Sequence, residues 1–222
     1  GGLEYIMEEI RGEVHLYRKK EELRKQADNR LNEGFPHEAV TLQAISAEVY
    51  VMVVTKHLLA QSGNIYRPKS LLAEEYMARK IAQWLLKPDE EVHIEKELMI
   101  AQKEMGFPLA CNQLNAVKSS YSHKLTFVTG GPGTGKTTIL RAIIEVFKHL
   151  FPESKIMLAA PTGRASRRMV ESTGVEAKTL HSLLGLVGED MEFGKKSRKE
   201  PLDAGLIIID ETSMVDMWLA RQ

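Results

Sequence analysis

The sequence has a single cysteine, no long apolar run and no excess of charge of either sign. Its single cysteine, Cys111, excludes an internal disulfide framework and is typical of a reducing compartment. No signal peptide opens the chain, and no apolar run approaches the ~20 residues of a membrane span. Lys and Arg together number 30, as do Asp and Glu, so a nucleic-acid surface has to be local. We therefore expect a cytoplasmic protein without a membrane partner.

The first half of the chain has a mainly helical pattern. Residues 18–32 are charged with few apolar positions, as in a solvated helix, whereas residues 37–61 are much more apolar. A short edge strand is expected at residues 64–69, followed by an amphipathic helix after Pro68. Glycine and proline in KEMGFPLACNQ, residues 103–113, are typical of a domain junction. We predict a mainly α-helical N-terminal domain over residues 1–105.

From Lys124 onward, strand and helix patterns alternate. The predicted strands cover residues 125–129, 155–160 and 205–210, and the predicted helices cover residues 136–150, 164–172 and 177–185. Short apolar strands separated by helices favour a parallel sheet covered on both faces. The second domain, residues 106–222, is therefore predicted to be α/β.

A glycine-rich loop separates the first predicted strand from its helix in LTFVTGGPGTGKTTILRAI, residues 125–143. Gly130-x-x-x-x-Gly135-Lys136-Thr137 matches the P-loop pattern, whose backbone N–H groups form a nest for phosphate oxygens at a helix N-terminus. The predicted nucleotide-binding residues here are Gly130, Gly131, Pro132, Gly133, Thr134, Gly135, Lys136, Thr137 and Thr138. Lys136 would contact the β- and γ-phosphates of ATP, and the Thr137 hydroxyl would bind Mg²⁺. The alternative, a glycine-rich hairpin, does not explain the flanking strand and helix.

A pair of acidic residues, Asp210 and Glu211, follows the apolar run LIII. Ligands of parallel sheets bind at the carboxyl ends of the strands, so Asp210 is expected on the same edge as the P-loop. Asp210 would hold Mg²⁺, largely through water, and Glu211 would orient and deprotonate the attacking water. The alternative interpretation of such a pair is a helix N-cap. Beside a P-loop, the interpretation as a metal site is favoured over the N-cap.

Four motifs, TGGPGTGKTT, LAAPTGRASRRM, TLHSLLG and PLDAGLIIIDETSMVD, occur in this order. Together they resemble the superfamily 1 DNA helicases of the RecD type, which include the exodeoxyribonuclease V alpha subunit. The resemblance covers residues 108–222 and implies that residues 106–222 form the first RecA-like motor domain. It also implies an enzyme that couples ATP hydrolysis to movement on single-stranded DNA, 5′ to 3′, in DNA recombination and repair.

The resemblance assigns roles to residues outside the P-loop. Gln113 resembles the glutamine that contacts the adenine edge; an ordinary surface glutamine is the alternative. The residues that resemble DNA-contacting motifs are Thr162, Gly163 and Arg164 in the first motif and Thr179 and His181 in the second. A lone histidine is more often structural. The basic run KKSRKE, residues 195–200, is typical of a solvated loop, with DNA contact as the alternative.

The resemblance also implies a second RecA-like domain, with further arginines at the nucleotide, beyond the acid pair of the Walker B motif. We therefore expect this chain to be an N-terminal fragment with little activity of its own. A rival interpretation is a nucleotide-binding regulatory subunit of an exonuclease V-like complex, with nuclease-complex subunits as partners. A P-loop kinase is disfavoured because PTGRASRRM offers no obvious acceptor site.

Overall fold

The computed structural model describes residues 3, 5–7, 16–35, 37, 39–87, 92–186 and 201–221. The chain divides into two compact units, residues 1–79 with residues 216–221, and residues 80–215. The helix Glu95–Met105, which precedes the domain boundary expected from the sequence, belongs to the second unit. The boundary at residue 105 stays a prediction. The basic run at residues 195–200 lies outside the described residues.

The first unit combines helices with a small antiparallel sheet whose strand order is β1-β3-β2. Its strands are β1 (Tyr17–Lys19), β2 (Leu59–Gln61) and β3 (Asn64–Tyr66), and its helices are α1 (Lys20–Asn32), α2 (Leu42–Val54), the start of α3 (Pro68–Leu85) and α9 (Met217–Ala220). Its core is formed by apolar side chains of α1, α2 and β3, among them Leu23, Ile45, Val49 and Ile65.

One sequence expectation needs correction in this unit. The strand expected at the edge of a sheet, at residues 64–69, is the central strand, because β3 pairs with β1 on one side and β2 on the other. Within the apolar segment at residues 37–61, α2 ends at Val54 and residues 59–61 form β2. The sheet takes these residues because β2 and β3 are joined by a tight turn in which Ser62 and Gly63 have positive φ.

The second unit has a parallel three-stranded sheet with the order β5-β4-β6. Its strands are β4 (Ile156–Ala160), β5 (Ala177–Thr179) and β6 (Leu206–Ile209), and its helices are α4 (Glu95–Met105), α5 (Cys111–Ser122), α6 (Lys136–Leu150), α7 (Gly163–Thr173) and α8 (Leu180–Leu183). A 3₁₀ turn, Thr212–Met214, follows β6. Ala160 of β4 is in register with Thr179, and Ala159 with Ile209, so the three strands end at one edge. The predicted α/β class is confirmed.

Helix α6 is the central helix of this unit. On one side, Ile139, Ala142 and Val146 pack in a buried cluster with side chains of α4 and α5. On the other side, Ile144 packs with Leu158 of β4 and a side chain of α7. Because α6 is held from both sides, the loop that precedes it is attached to a rigid element.

The sheet differs from the sequence prediction in three respects. Residues 125–129 form no strand in the structure: Phe127 is 66% exposed, and the Thr126 hydroxyl donates to the Ser119 carbonyl of α5, 3.2 Å away. The helix expected over residues 177–185 is split, since its first three residues pair with β4 as β5. Among the described residues, nothing covers one face of β6, where Ile207 and Ile209 are exposed.

None of the helices within the described residues is both long enough and apolar enough to span a membrane.

Gly205, directly before β6, is a point of close packing. A Cβ atom at this position would lie 2.8 Å from Cζ of Phe147 and 3.1 Å from Cβ of Ser154. Phe147 is buried, so it has little room to move. We expect Gly205→Ala to lower the free energy of unfolding by about 1–3 kcal/mol, as measured by denaturant unfolding.

Gly163, the first residue of α7, provides the control for this substitution, because a Cβ atom there would meet nothing within 4 Å. Gly163→Ala is expected to leave the unfolding free energy unchanged or raise it slightly. Equal stability of both variants would contradict the packing described at Gly205.

Candidate nucleotide-binding site

The loop before α6 has the backbone geometry of an anion cradle. Gly133 and Gly135 have φ values of 76° and 84°, in the left-handed region that favours glycine. Within the described residues, no acceptor takes the N–H groups of Gly131, Gly133 or Gly135. The first-turn N–H groups of α6 add to this set, since a helix N-terminus leaves them without intrahelical partners. The loop therefore offers several donors to an anion.

Lys136 lies across this loop. Its Nζ donates to the carbonyl oxygens of Gly130 and Gly131, at 2.6 and 2.9 Å. The Thr134 hydroxyl also donates to the Gly131 carbonyl, at 2.8 Å. An ammonium group has three donors, and the Lys136 side chain is exposed, so its positive charge is available at the mouth of the loop. Thr137, the next residue, is exposed as well.

Gln113 of α5 is in contact with the end of this loop. Its Oε1 accepts the N–H of Ala110 at 3.0 Å. Its Nε2 lies against Gly135: a Cβ atom on that glycine would be 2.3 Å from Nε2 and 3.8 Å from the Thr138 hydroxyl oxygen. The structure thus brings Gln113, Gly135 and Thr138 together, although they come from two helices. A side chain at position 135 would be excluded both by Gln113 and by the positive φ.

The acid pair lies at the carboxyl end of β6. The Asp210 N–H donates to the Ala159 carbonyl at 3.0 Å, which extends the pairing with β4 by one residue. Asp210 Oδ1 accepts the N–H of Glu211 at 2.9 Å. Glu211 has φ 54° and ψ 39°, a left-handed conformation that is strained for a residue with a side chain. Both side chains are exposed.

The predicted site residues are thus found in two groups. Lys136 bonds glycine carbonyls at one end of the loop and Gln113 lies against Gly135 at the other, whereas Asp210 and Glu211 are fixed by β4 and by the turn after β6. Across the part of the chain that the structure describes, no hydrogen bond joins the acid pair to the loop. A bound ligand would have to bridge them.

Comparison with known proteins shows which proteins share this part of the sequence. The family described as AAA domain matches residues 113–222, from Gln113 to beyond the acid pair. An ATP-dependent RecD2 DNA helicase of Deinococcus radiodurans is 32% identical over 177 residues, 80% of this chain and 24% of the relative. The resemblance to the RecD-type helicases is confirmed. Other relatives are RecBCD enzyme subunits RecD, from Mycolicibacterium smegmatis (36% identity over 128 residues, 48% of this chain and 23% of the relative) and Buchnera aphidicola (37% over 146 residues, 57% and 23%).

The chain spans about a quarter of the length of these relatives, 24% of the first and 23% of the other two. The match to an AAA domain implies nucleotide binding. The residues fit a phosphate group and a cation: the loop N–H groups and Lys136 would bind the anion, and Asp210 keeps one carboxylate oxygen, Oδ2, free of hydrogen bonds within the described residues. The roles of individual residues stay predictions.

The residues that resemble DNA-contacting motifs lie at the same edge of the sheet as the acid pair. Thr162 follows β4 and caps α7 by accepting the N–H of Ala165 at 3.2 Å, with Gly163 as the first helical residue. Thr179 ends β5 and caps α8 by accepting the N–H of Ser182, also at 3.2 Å. Both threonine hydroxyls therefore have a structural task.

Of the other DNA-motif residues, Arg164 is exposed and His181 half-buried. Within the described part of the chain neither forms a hydrogen bond or ion pair through its side chain. Arg164 is therefore the side chain of these motifs that is most available to a phosphate.

Two features of the site were not predicted. One is the left-handed backbone of Glu211, for which the residues around it give no signal. The other is Gln102 of α4, whose Oε1 accepts the N–H of Leu109 at 2.8 Å, next to the N–H that Gln113 binds. A glutamine near the end of a helix gives no indication of a tertiary contact seven residues later.

Proposed function

We propose that this chain is the nucleotide-binding part of an ATP-dependent DNA helicase acting in DNA recombination and repair. The protein would hydrolyse ATP with Mg²⁺ and move along single-stranded DNA in the 5′ to 3′ direction. The observation that carries the proposal is the cradle of free N–H groups before α6, with Lys136 across it, in a chain that resembles the RecD-type helicases. The relative named an ATP-dependent DNA helicase aligns over 80% of the chain, which supports the same function.

Each site residue has a proposed task. The loop N–H groups and Lys136 bind the phosphates, and the Gln113 amide contacts adenine beside Gly135. Thr137 and Asp210 would hold Mg²⁺, which when bound neutralises phosphate charge. Glu211 orients the attacking water and accepts its proton.

A second function is supported by the names of other relatives. Those from Mycolicibacterium smegmatis and Buchnera aphidicola are called RecBCD enzyme subunits. This chain would then be a regulatory nucleotide-binding subunit, with other subunits of a nuclease complex as partners. Their alignments cover 48% and 57% of the chain, less than that of the relative named a helicase, so we favour the helicase.

Steady-state phosphate release, with and without single-stranded DNA, tests the choice when it is measured on this chain and on a longer protein that also carries the second RecA-like domain. A helicase must release phosphate faster when it moves on a DNA strand, whereas a regulatory subunit need not. We expect little turnover from this chain alone and turnover stimulated by DNA in the longer protein. Nucleotide binding with turnover of the longer protein that does not respond to DNA would contradict the helicase and favour the regulatory subunit.

Arg164 provides a test of DNA binding at the carboxyl edge. Binding to single strands is expected to be sequence-independent and weakened by salt, because phosphate contacts dominate it. Arg164→Ala should weaken binding and flatten the plot of log affinity against log salt concentration by about 0.7, the value of one phosphate contact on a single strand. Fluorescence anisotropy with a labelled oligonucleotide over a range of salt concentrations measures both.

The control variant is Arg79→Ala. Arg79 is also exposed, but it lies in the first unit, where its Nε donates to the Glu75 carbonyl. The variant removes the same charge and should leave the salt slope unchanged. Identical slopes for Arg164→Ala and the wild-type chain would contradict the role assigned to this motif.

A further inference from the structure

Two glutamines bind consecutive backbone N–H groups just before α5. Gln102, in the last turns of α4, accepts the N–H of Leu109 through Oε1 at 2.8 Å. Gln113, in the first turn of α5, accepts the N–H of Ala110 through Oε1 at 3.0 Å. Leu109 and Ala110 are thus held from opposite sides, by the helix that precedes them and by the helix that follows.

These contacts belong to a closed path, by which we mean a series of contacts that leaves α6 through α4 and returns to α6 through Gln113. Helix α4 packs on α6 in a cluster that includes its Leu98 and Ala101, and buried Leu109 belongs to the same cluster. From α4 the path runs through Gln102 to the backbone of residues 109–110 and then to Gln113. It returns to α6 where Gln113 Nε2 lies against Gly135, the N-cap of that helix.

The closed path fixes which end of the Gln113 amide faces the nucleotide loop. While Oε1 accepts the Ala110 N–H, Nε2 has to point toward Gly135 and Thr138. Turning the amide over would place a donor against a donor at Ala110 and lose that bond. The orientation of the Gln113 amide therefore depends on the position of the Ala110 backbone. Gln102 is the side chain of α4 that fixes this backbone, through its bond to the Leu109 N–H.

We propose that Gln102 is a positioning residue for nucleobase recognition: it fixes the Leu109–Ala110 backbone and thereby the orientation of the Gln113 amide. Gln102 does not touch the nucleotide; it acts through Gln113. The proposal rests on the proposed function, in which Gln113 contacts adenine. It explains why a glutamine outside the RecD-type motifs is half-buried beside the site.

The test separates the base from the phosphates by using two ligands, Mg-ADP and Mg-tripolyphosphate, which has no base. In Gln102→Met the side chain keeps its length and loses its acceptor, whereas Gln102→Glu keeps an oxygen acceptor. We expect Gln102→Met to lower the affinity for Mg-ADP about three- to tenfold, the effect of one hydrogen bond, and to leave the affinity for Mg-tripolyphosphate unchanged. Gln102→Glu should bind both ligands like the wild-type chain.

Coupling to Gln113 is tested with Gln113→Ala and the double variant, titrated with the same ligands. If Gln102 acts through Gln113, the double variant binds Mg-ADP no more weakly than Gln113→Ala alone. Amide exchange at Ala110, measured by NMR without ligand, should be faster in Gln102→Met than in Gln102→Glu, and this readout does not depend on nucleotide binding.

The outcomes distinguish this inference from the proposed function. A wild-type chain that binds neither ligand would overturn the proposed function and the inference with it. If Gln113→Ala weakens Mg-ADP but Gln102→Met does not, only the positioning role of Gln102 is overturned. Equal weakening of both ligands by Gln102→Met would also overturn it, because a general structural defect affects phosphate and base alike.

Discussion

In a longer protein that also carries the second RecA-like domain, Glu211→Gln is expected to lower ATP turnover by about 10²- to 10⁴-fold, the range for loss of a general base. The amide keeps the size of the side chain but cannot accept a proton from water. Affinity for Mg-ADP should be unchanged, because Glu211 forms no hydrogen bond with the loop among the described residues. Single-turnover phosphate release together with nucleotide titration measures the two quantities separately. Turnover within a few-fold of wild type would contradict the assignment of Glu211.

The backbone of Glu211 adds a second expectation, of opposite sign, for Glu211→Gly. A left-handed conformation costs a residue with a side chain about 1–2 kcal/mol, and glycine adopts it freely, although glycine loses more chain entropy on folding. We expect the glycine variant to be as inactive as Glu211→Gln yet more stable by up to about 1 kcal/mol in denaturant unfolding.

Ser62→Gly is the matched control, because Ser62 has a similar φ of 50° and lies in the turn between β2 and β3. It should gain stability without losing turnover. A destabilised Glu211→Gly beside a stabilised Ser62→Gly would show that the strain at Glu211 is not present.

Lys136→Ala is expected to lower the affinity for Mg-ADP and Mg-ATP about 10- to 100-fold, as loss of a charge-assisted hydrogen bond to phosphate implies. Among the described residues, the hydrogen bonds of the Lys136 side chain go only to exposed loop carbonyls, so the free energy of unfolding should change by less than about 0.5 kcal/mol. Calorimetric titration gives the affinity, and thermal unfolding checks the fold.

Lys148 supplies the control for charge and helix position. It is an exposed lysine in the last turn of the same helix, where its Nζ bonds to Glu145 at 2.9 Å. Lys148→Ala removes the same charge far from the loop and should bind nucleotide normally. If Lys148→Ala lowered the nucleotide affinity as much as Lys136→Ala, the effect would come from the net charge of the chain and not from the loop.

Local sequence signals were sufficient for several elements. Helix α6 begins at Lys136 and ends at Leu150 as predicted, because a left-handed glycine precedes it and its apolar residues recur at helical spacing. The strands predicted at residues 155–160 and 205–210 are found as β4 and β6, with ends shifted by one residue. In each case the deciding information lies within the segment itself.

Other features depend on partners distant in sequence. The apolar run at residues 125–129 has a strand composition, but pairing needs a neighbour, and the structure instead joins Thr126 to Ser119 of α5. Residues 177–179 precede a helix and were predicted to belong to it, yet they pair with β4. A short segment carries no information about which element it will meet.

The candidate site shows the same division. The P-loop and the acid pair follow from residue type and spacing, and family resemblance added Gln113. Contact of Gln113 with Gly135 depends on how α4, α5 and α6 pack, which no single motif encodes. The conformation of Glu211 depends likewise on the turn Thr212–Met214, whose last N–H donates to the Glu211 carbonyl.

Amide hydrogen exchange of the loop, with and without Mg-ADP, tests the central claim most directly. The N–H groups of Gly131, Gly133 and Gly135 lack acceptors within the described residues, so they should exchange fast in the free chain. We predict that Mg-ADP slows exchange at these positions in the wild-type chain and much less in Lys136→Ala. Unchanged exchange in the loop under conditions in which nucleotide is bound would contradict the account, because the phosphates would then lie elsewhere.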